Sequence, residues 1–188
     1  MKTSRSAMAV ALIGVTLVAT AVNAFAAEQE KKSSRAKIEH DARAALSKLY
    51  AKVPKAKALG SKAVGILVFP KVTKAGLMIG GQYGDGALMK GGKTVAYYNT
   101  SGVSSGLQAG AQTYGYAMFF MNENALASLD KAEGFEVGMG PSVVVMDEGM
   151  AKSTTTTSIK DDIYAFIFGQ KGLMAGLGIQ GNKITKLK

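Results

Sequence analysis

Residues 62–89 read KAVGILVFPKVTKAGLMIGGQYGDGALM, a series of short apolar runs separated by single and paired glycines. Each glycine in a helix interior costs about 1 kcal/mol relative to alanine, so this spacing disfavours helices. The runs at 64–69, 75–79 and 87–89 therefore predict strands. The pattern continues toward the C-terminus, because twenty-one glycines lie between Gly65 and Gly181.

The rest of the glycine-rich region has the same strand-like character, with one interruption. Asn122 can cap a short helix at 123–130, and the run YAFIF at 164–168 predicts a strand buried on both faces. Many short strands favour closure of the sheet, which removes exposed edges. The predicted fold class is α+β, with a glycine-rich, mainly antiparallel sheet that is closed or nearly closed, an N-terminal amphipathic helix and one short internal helix. The further predicted strands are 95–98, 107–113, 116–121, 135–137, 143–146, 163–168 and 173–179.

Upstream of the glycine-rich region, the spacing predicts an amphipathic helix over 35–53. Ser33 or Ser34 can cap its start and Pro54 ends it; a second helical turn is expected at 55–59. Because the apolar stripe is rich in alanine and lacks Trp and Phe, we expect it to pack against the domain and leave the lysines outside. The stripe comprises Ile38, Ala42, Ala45, Leu46, Leu49 and Val53.

Positive charge is concentrated around this helix. Residues 31–62 contain ten Lys or Arg and two acids, a surplus of eight, whereas residues 63–188 contain eleven and nine, a surplus of two. Such a patch attracts anionic lipid or another acidic polymer, although a solvated basic face without a partner remains the alternative. The candidate lipid-binding residues are Arg35, Lys37, Arg43, Lys48, Lys52, Lys55 and Lys57.

The first residues have the order of a secretory signal peptide. Lys2 and Arg5 precede a charge-free run, and Asn23-Ala24-Phe25-Ala26 has the small-residue pattern of a cleavage site. We expect cleavage after Ala26, with Ala24 as the alternative, and a membrane anchor is the rival interpretation. The predicted organisation is a signal peptide at 1–26, a polar tether at 27–34, and a domain at 35–188 with a basic helix at 35–53 and a β-rich body at 60–188. Export argues against a nucleic acid partner.

None of the motifs that could carry catalysis is complete. Residues 102–106, GVSSG, match a nucleophile elbow around Ser104, but the only histidine, His40, lies upstream. Residues 176–181, GLGIQG, match a dinucleotide fingerprint but are followed by only seven residues. The paired carboxylates at 147–148 and 161–162 lack a second set of ligands. We expect no enzyme activity, no catalytic or metal site and no cofactor.

Three blocks of sequence resemble the SYLF domain family, and together they span about residues 37–181. The blocks are KAVGILVFPKVTKAGLMIGGQYGDGALM at 62–89, GVSSGLQAGAQTYGYAMFFMNENAL at 102–126, and KGLMAG at 171–176. The resemblance implies glycine turns in the first and last blocks. The motif residues concerned are Gly80, Gly81, Tyr83, Gly84, Gly86, Gly172 and Gly176.

The resemblance implies a lipid-binding module. Eukaryotic relatives bind phosphoinositides and are associated with actin, whereas bacterial relatives are exported envelope proteins. We therefore predict an exported protein, periplasmic, peripheral to the inner or outer membrane, or extracellular, that binds anionic phospholipid surfaces through its basic helix. The alternatives are a carrier of an apolar ligand inside the sheet, and a periplasmic structural module that binds an envelope protein partner.

Overall fold

The computed structural model describes residues 5–77, 79–105, 110–131, 133–147, 149, 160–171 and 179–188. The chain divides into two compact units, residues 1–37 and residues 38–188.

Helix α1, Arg5–Lys52, begins in the first unit. It includes residues 27–34, for which the sequence predicts a polar tether. The segment AEQEKKSS is rich in Ala, Glu, Gln and Lys, which have high helix propensities, and this accounts for the difference. Among the residues that the structure describes, no helical stretch combines the length and the apolarity needed to cross a bilayer.

The second unit contains the end of α1 and the β-rich body. The predicted second turn is helix α2, Pro54–Gly60. The predicted internal helix is α3, Glu123–Ala127, continued by a 3₁₀ turn at Ser128–Asp130, and the Asn122 side chain accepts a hydrogen bond from the Ala125 N–H at 2.8 Å. The strands are β1 Gly65–Leu77, β2 Ile79–Lys90, β3 Lys93–Ser105, β4 Gly110–Phe120, β5 Phe135–Glu136, β6 Val143–Asp147, β7 Ile163–Lys171 and β8 Lys183–Lys186.

The eight strands form one open, mixed sheet in the order β5-β8-β3-β2-β1-β4-β7-β6. All neighbours pair antiparallel except β6 and β7, which are parallel. The predicted α+β class is confirmed, but the prediction of a closed or nearly closed sheet is wrong. One edge strand, β5, has only two residues, and so short an edge exposes few unpaired backbone groups without closure.

The sheet buries both of its faces. One face carries a cluster that includes Phe69, Tyr116 and Phe120. The other carries a cluster that includes Phe119 and Phe166 and packs against α1. Strand β7 contributes alternate residues to the two clusters, which confirms the strand buried on both faces. The apolar stripe of α1 also packs as predicted: Ala42, Leu49 and Val53 are buried, and Ile38, Ala45 and Leu46 are partly buried.

A bulge in β1 joins two segments that the sequence predicts as separate strands. The register of β1 shifts between Val68 and Thr73 against β2, and between Phe69 and Val72 against β4. Pro70 has no N–H to give to a central strand, and a bulge accommodates that loss.

The glycines opposite the bulge lie inside β2, so the predicted glycine turn at residues 80–86 is wrong. A Cβ on Gly84 would come within 2.7 Å of the Lys71 carbonyl oxygen, and one on Gly86 would overlap the Phe69 ring. These glycines therefore let the bulge lie close to β2. The turn between β2 and β3 lies at Gly91 and Gly92, which both have positive φ.

Candidate anionic-surface binding site

Four exposed lysines from three elements line a groove of about 380 Å³ between the end of α1 and the sheet. We call this the lysine groove. Its walls combine these ammonium groups with apolar surface. It is lined by Asp41, Ala44, Ala45, Lys48, Leu49 and Lys52 from α1, Pro70 and Lys71 from β1, and Phe168, Gly169 and Lys171 from β7.

The local backbone of each element brings its lysines to this groove. Lys48 and Lys52 are one helical turn apart and so project from the same side of α1. Lys71 follows Pro70 in the β1 bulge. Lys171 follows Gly169, whose φ of +64° interrupts the regular course of β7. The packing of Phe168 with the β1 bulge depends on Gly115, because a Cβ there would meet the Phe168 ring and the Pro70 carbonyl.

The electrostatic balance of the lysine groove favours an anion. Four lysines face one carboxylate, Asp41, which leaves a surplus of three positive charges among the lining residues. A neighbouring depression of about 410 Å³ shares Lys52 and adds Asp147. Because the four lysines are exposed, their attraction for an anion acts through solvent and weakens as salt rises.

Arg43 lies outside the lysine groove. Its guanidinium donates to Glu39 Oε1 at 2.9 and 3.0 Å, to the Gly92 carbonyl oxygen at 2.8 Å and to Thr94 Oγ1 at 3.3 Å. These bonds hold α1 to the β2–β3 hairpin, and the bond from Arg43 lowers the pKa of Glu39 below its usual value. Arg43 therefore has a structural role, and its contact with lipid stays a prediction.

Comparison with known families gives a match for the C-terminal part of the chain. Residues 101–188, or 88 of the 188 residues, match the family model Ysc84, described as Las17-binding protein actin regulator. The predicted SYLF resemblance is confirmed. The SYLF family is linked to lipid binding and to actin regulation. No curated protein matches the chain.

The SYLF match includes one wall of the lysine groove, residues 168–171, whereas α1 and the β1 bulge precede it. Of the seven predicted SYLF motif residues, Gly80, Gly81, Tyr83, Gly84 and Gly86 lie on β2. Gly84 and Gly86 act on the groove indirectly, because they allow the β1 bulge that carries Lys71. Gly172 and Gly176 lie outside the described residues.

The other predicted basic residues are not among those that line the lysine groove. Arg35 and Lys37 belong to the first unit. Lys55 is half-buried on α2. Lys57 lines a different depression, of about 520 Å³, together with Arg43 and Met89. Of the predicted set, Lys48 and Lys52 line the lysine groove.

Lys71 and Lys171 are absent from the prediction because each lies between two predicted strands, in the part of the chain where positive and negative charges nearly balance. The signal that could have identified Lys71 is Pro70, since proline in an apolar run indicates a bulge or an edge. Nothing in the local sequence indicates that the end of β7 meets that bulge.

The residues considered for catalysis are dispersed. The side chain of His40 is 83% exposed and hydrogen-bonds to its neighbour Asp41 at 3.2 Å. Asp162 accepts hydrogen bonds from Ser142 and Asn122, and these bonds lower its pKa. The carboxylate of Asp162, just before β7, therefore links the residue before β6 to the N-cap of α3. Within the described ranges, no group of three or more His, Asp or Glu side chains could hold a metal ion.

Proposed function

We propose that this chain is an exported envelope protein that binds anionic phospholipid surfaces through the lysine groove. The observation that carries the proposal is the convergence of Lys48, Lys52, Lys71 and Lys171 on one groove with apolar walls. This differs from binding by the basic helix alone, because two of the four charges come from the sheet. Cleavage after Ala26 and location in the periplasm, at a membrane or outside the cell remain parts of the proposal.

The energy available from four lysines is sufficient for peripheral attachment. Each basic residue close to an anionic membrane contributes about 1 kcal/mol before screening by salt. Four therefore contribute about 4 kcal/mol, or roughly a thousandfold in partitioning. The lysine stems can lie along apolar groove walls while the ammonium groups meet phosphates.

Two further points support a lipid over other acidic polymers. The SYLF family is linked to lipid binding. The positive charge lies next to apolar surface from Leu49, Pro70 and Phe168, which suits a ligand that has both a phosphate and acyl chains.

Co-sedimentation with vesicles tests the proposal. The wild-type protein should pellet with phosphatidylglycerol vesicles and not with phosphatidylcholine vesicles, and binding should weaken as salt rises. Lys48→Glu with Lys52→Glu removes two attractive contacts, worth about 2 kcal/mol, so affinity should fall at least about thirtyfold.

Lys93→Glu with Lys183→Glu is the matched control. It changes the net charge by the same amount at exposed positions on β3 and β8. Neither residue lines the lysine groove, and in the sheet order β8 is three strands from β1 and four strands from β4. It should weaken binding only slightly. Equal losses in the two double variants, or equal pelleting with both lipids, would contradict binding at the lysine groove.

A further inference from the structure

A second cationic site lies inside the sheet, on the face opposite α1. Lys74 pairs in register with Gln112 on β4 and with Gln82 on β2, and Gln82 pairs with Gly102 on β3. The four positions form one row across four neighbouring strands, and directly paired residues share a face. Asn182 completes the row, because a Cβ on Gly102 would overlap its side-chain oxygen and the Gln82 nitrogen. We call this set the buried lysine row.

The row is inside the protein although all its side chains are polar. Lys74 is 5% exposed, Gln112 3% and Asn182 1%. Within the described ranges, no side chain forms an ion pair or a hydrogen bond with Lys74. The Lys74 ammonium itself is not among the fully buried polar atoms that lack a partner, so it keeps some contact with solvent.

Hydrogen bonds fix the orientation of the carboxamides in the row. The Tyr114 hydroxyl donates to Gln82 Oε1 at 2.6 Å, and burial raises the pKa of Tyr114 to about 12, so this phenol stays a donor at neutral pH. With its oxygen occupied, Gln82 uses Nε2 to donate to Asn182 Oδ1. Asn182 Nδ2 lies near the phenol oxygens of Tyr114 and Tyr116 but forms no hydrogen bond of standard geometry, and Gln112 Oε1 is a buried acceptor that also lacks one.

We propose that the buried lysine row binds a small oxyanion, a carboxylate or a phosphate group. The anion would pair with the Lys74 ammonium and accept a hydrogen bond from Asn182 Nδ2. Gln112 Oε1 can accept one of the remaining ammonium protons, since an ammonium has three. A small ion would reach the row through the side of Lys74 that contacts solvent. This site is separate from the lysine groove and does not depend on membrane binding.

Thermal unfolding in different anions at constant pH and ionic strength tests the proposal. Wild-type protein in chloride is compared with protein titrated with acetate or with phosphate, which distinguishes the two sources of oxyanion. At tenfold excess over its Kd, the bound anion multiplies the folding constant about elevenfold. For a domain of this size, Tm should rise by roughly 3–6 °C and then saturate.

Three variants locate the effect. Lys74→Met should abolish the saturable rise, whereas Lys71→Met, an exposed lysine of the same strand, should keep it. Gln112→Glu places a carboxylate opposite Lys74, so Tm in chloride should increase and the response to added oxyanion should disappear. Because Gln112→Glu retains Lys74, it remains informative if Lys74→Met does not fold.

Two results would overturn the buried site. The first is the absence of a saturable rise in wild-type protein with either anion. The second is an undiminished rise in Gln112→Glu or in Lys74→Met. A rise that is lost in Lys71→Met and kept in Gln112→Glu would place the anion in the lysine groove instead.

Discussion

The lysine groove and the buried lysine row use the same side chain in opposite surroundings. Lys48, Lys52, Lys71 and Lys171 are exposed, so their charges act together through a field that salt screens over about 8 Å. Lys74 is buried among carboxamides, where a charge acts over short range on one specific partner. The comparison indicates that exposed lysines should control membrane attachment with little effect on stability, whereas the buried row should control stability and anion selectivity.

The largest expected effect is on stability, from breaking the hydrogen bonds of the buried lysine row. Gln82→Leu leaves the Tyr114 hydroxyl and Asn182 Oδ1 without partners. Each buried unsatisfied group costs about 1–3 kcal/mol, so the free energy of unfolding should fall by roughly 2–5 kcal/mol in urea denaturation.

The matched control is Gln170→Leu, which changes an exposed glutamine of β7. Its free energy of unfolding should remain within about 0.5 kcal/mol of wild type. A similar loss in both variants would show that the Gln82 hydrogen bonds do not stabilise the row.

A smaller effect is expected at alkaline pH, again from the buried row. Below pH 10 the Tyr114 phenol is neutral in folded and unfolded chains, and its contribution to stability is complete. Above pH 10 the unfolded phenol ionises while the folded one, with a pKa of about 12, does not. The free energy of unfolding should therefore fall by about 1 kcal/mol between pH 10 and 11 from this group.

Comparison with Tyr114→Phe isolates this contribution from that of the other tyrosines and lysines. The stability of the variant should fall less steeply over the same pH interval. Parallel curves for the two proteins would mean that Tyr114 is not held neutral by burial.

Local sequence patterns were sufficient to predict the elements whose buried faces follow from their own periodicity. The stripe from Ile38 to Val53 predicted a helix that packs on the domain, and the alternation around Phe166 predicted a strand buried on both faces. Asn122 predicted the start of α3. The SYLF motifs predicted the family that residues 101–188 match.

The functional geometry depends on strand register, which local sequence does not specify. Pro70 interrupts an apolar run, and only pairing with β2 and β4 shows that the strand continues through a bulge. Lys74 has a sequence context typical of an exposed strand residue. Its burial results from being placed in register with Gln82 and Gln112, which are distant in sequence. Whether the sheet closes is also decided by long-range pairing, and here it stays open.

We propose that four converging lysines, and not the total charge of the basic segment at residues 31–62, attach this protein to anionic membranes. Lys71→Glu with Lys171→Glu changes the two groove lysines outside the helix. Lys57→Glu with Lys62→Glu changes two exposed lysines of the basic segment that do not line the groove. Both double variants lower the net charge by the same amount.

The most direct test is the affinity of these two double variants for phosphatidylglycerol vesicles at one salt concentration. We expect a loss of about thirtyfold or more for the groove variant and a loss of only a fewfold for the segment variant. Equal affinities, or a greater loss from changing Lys57 and Lys62, would contradict it.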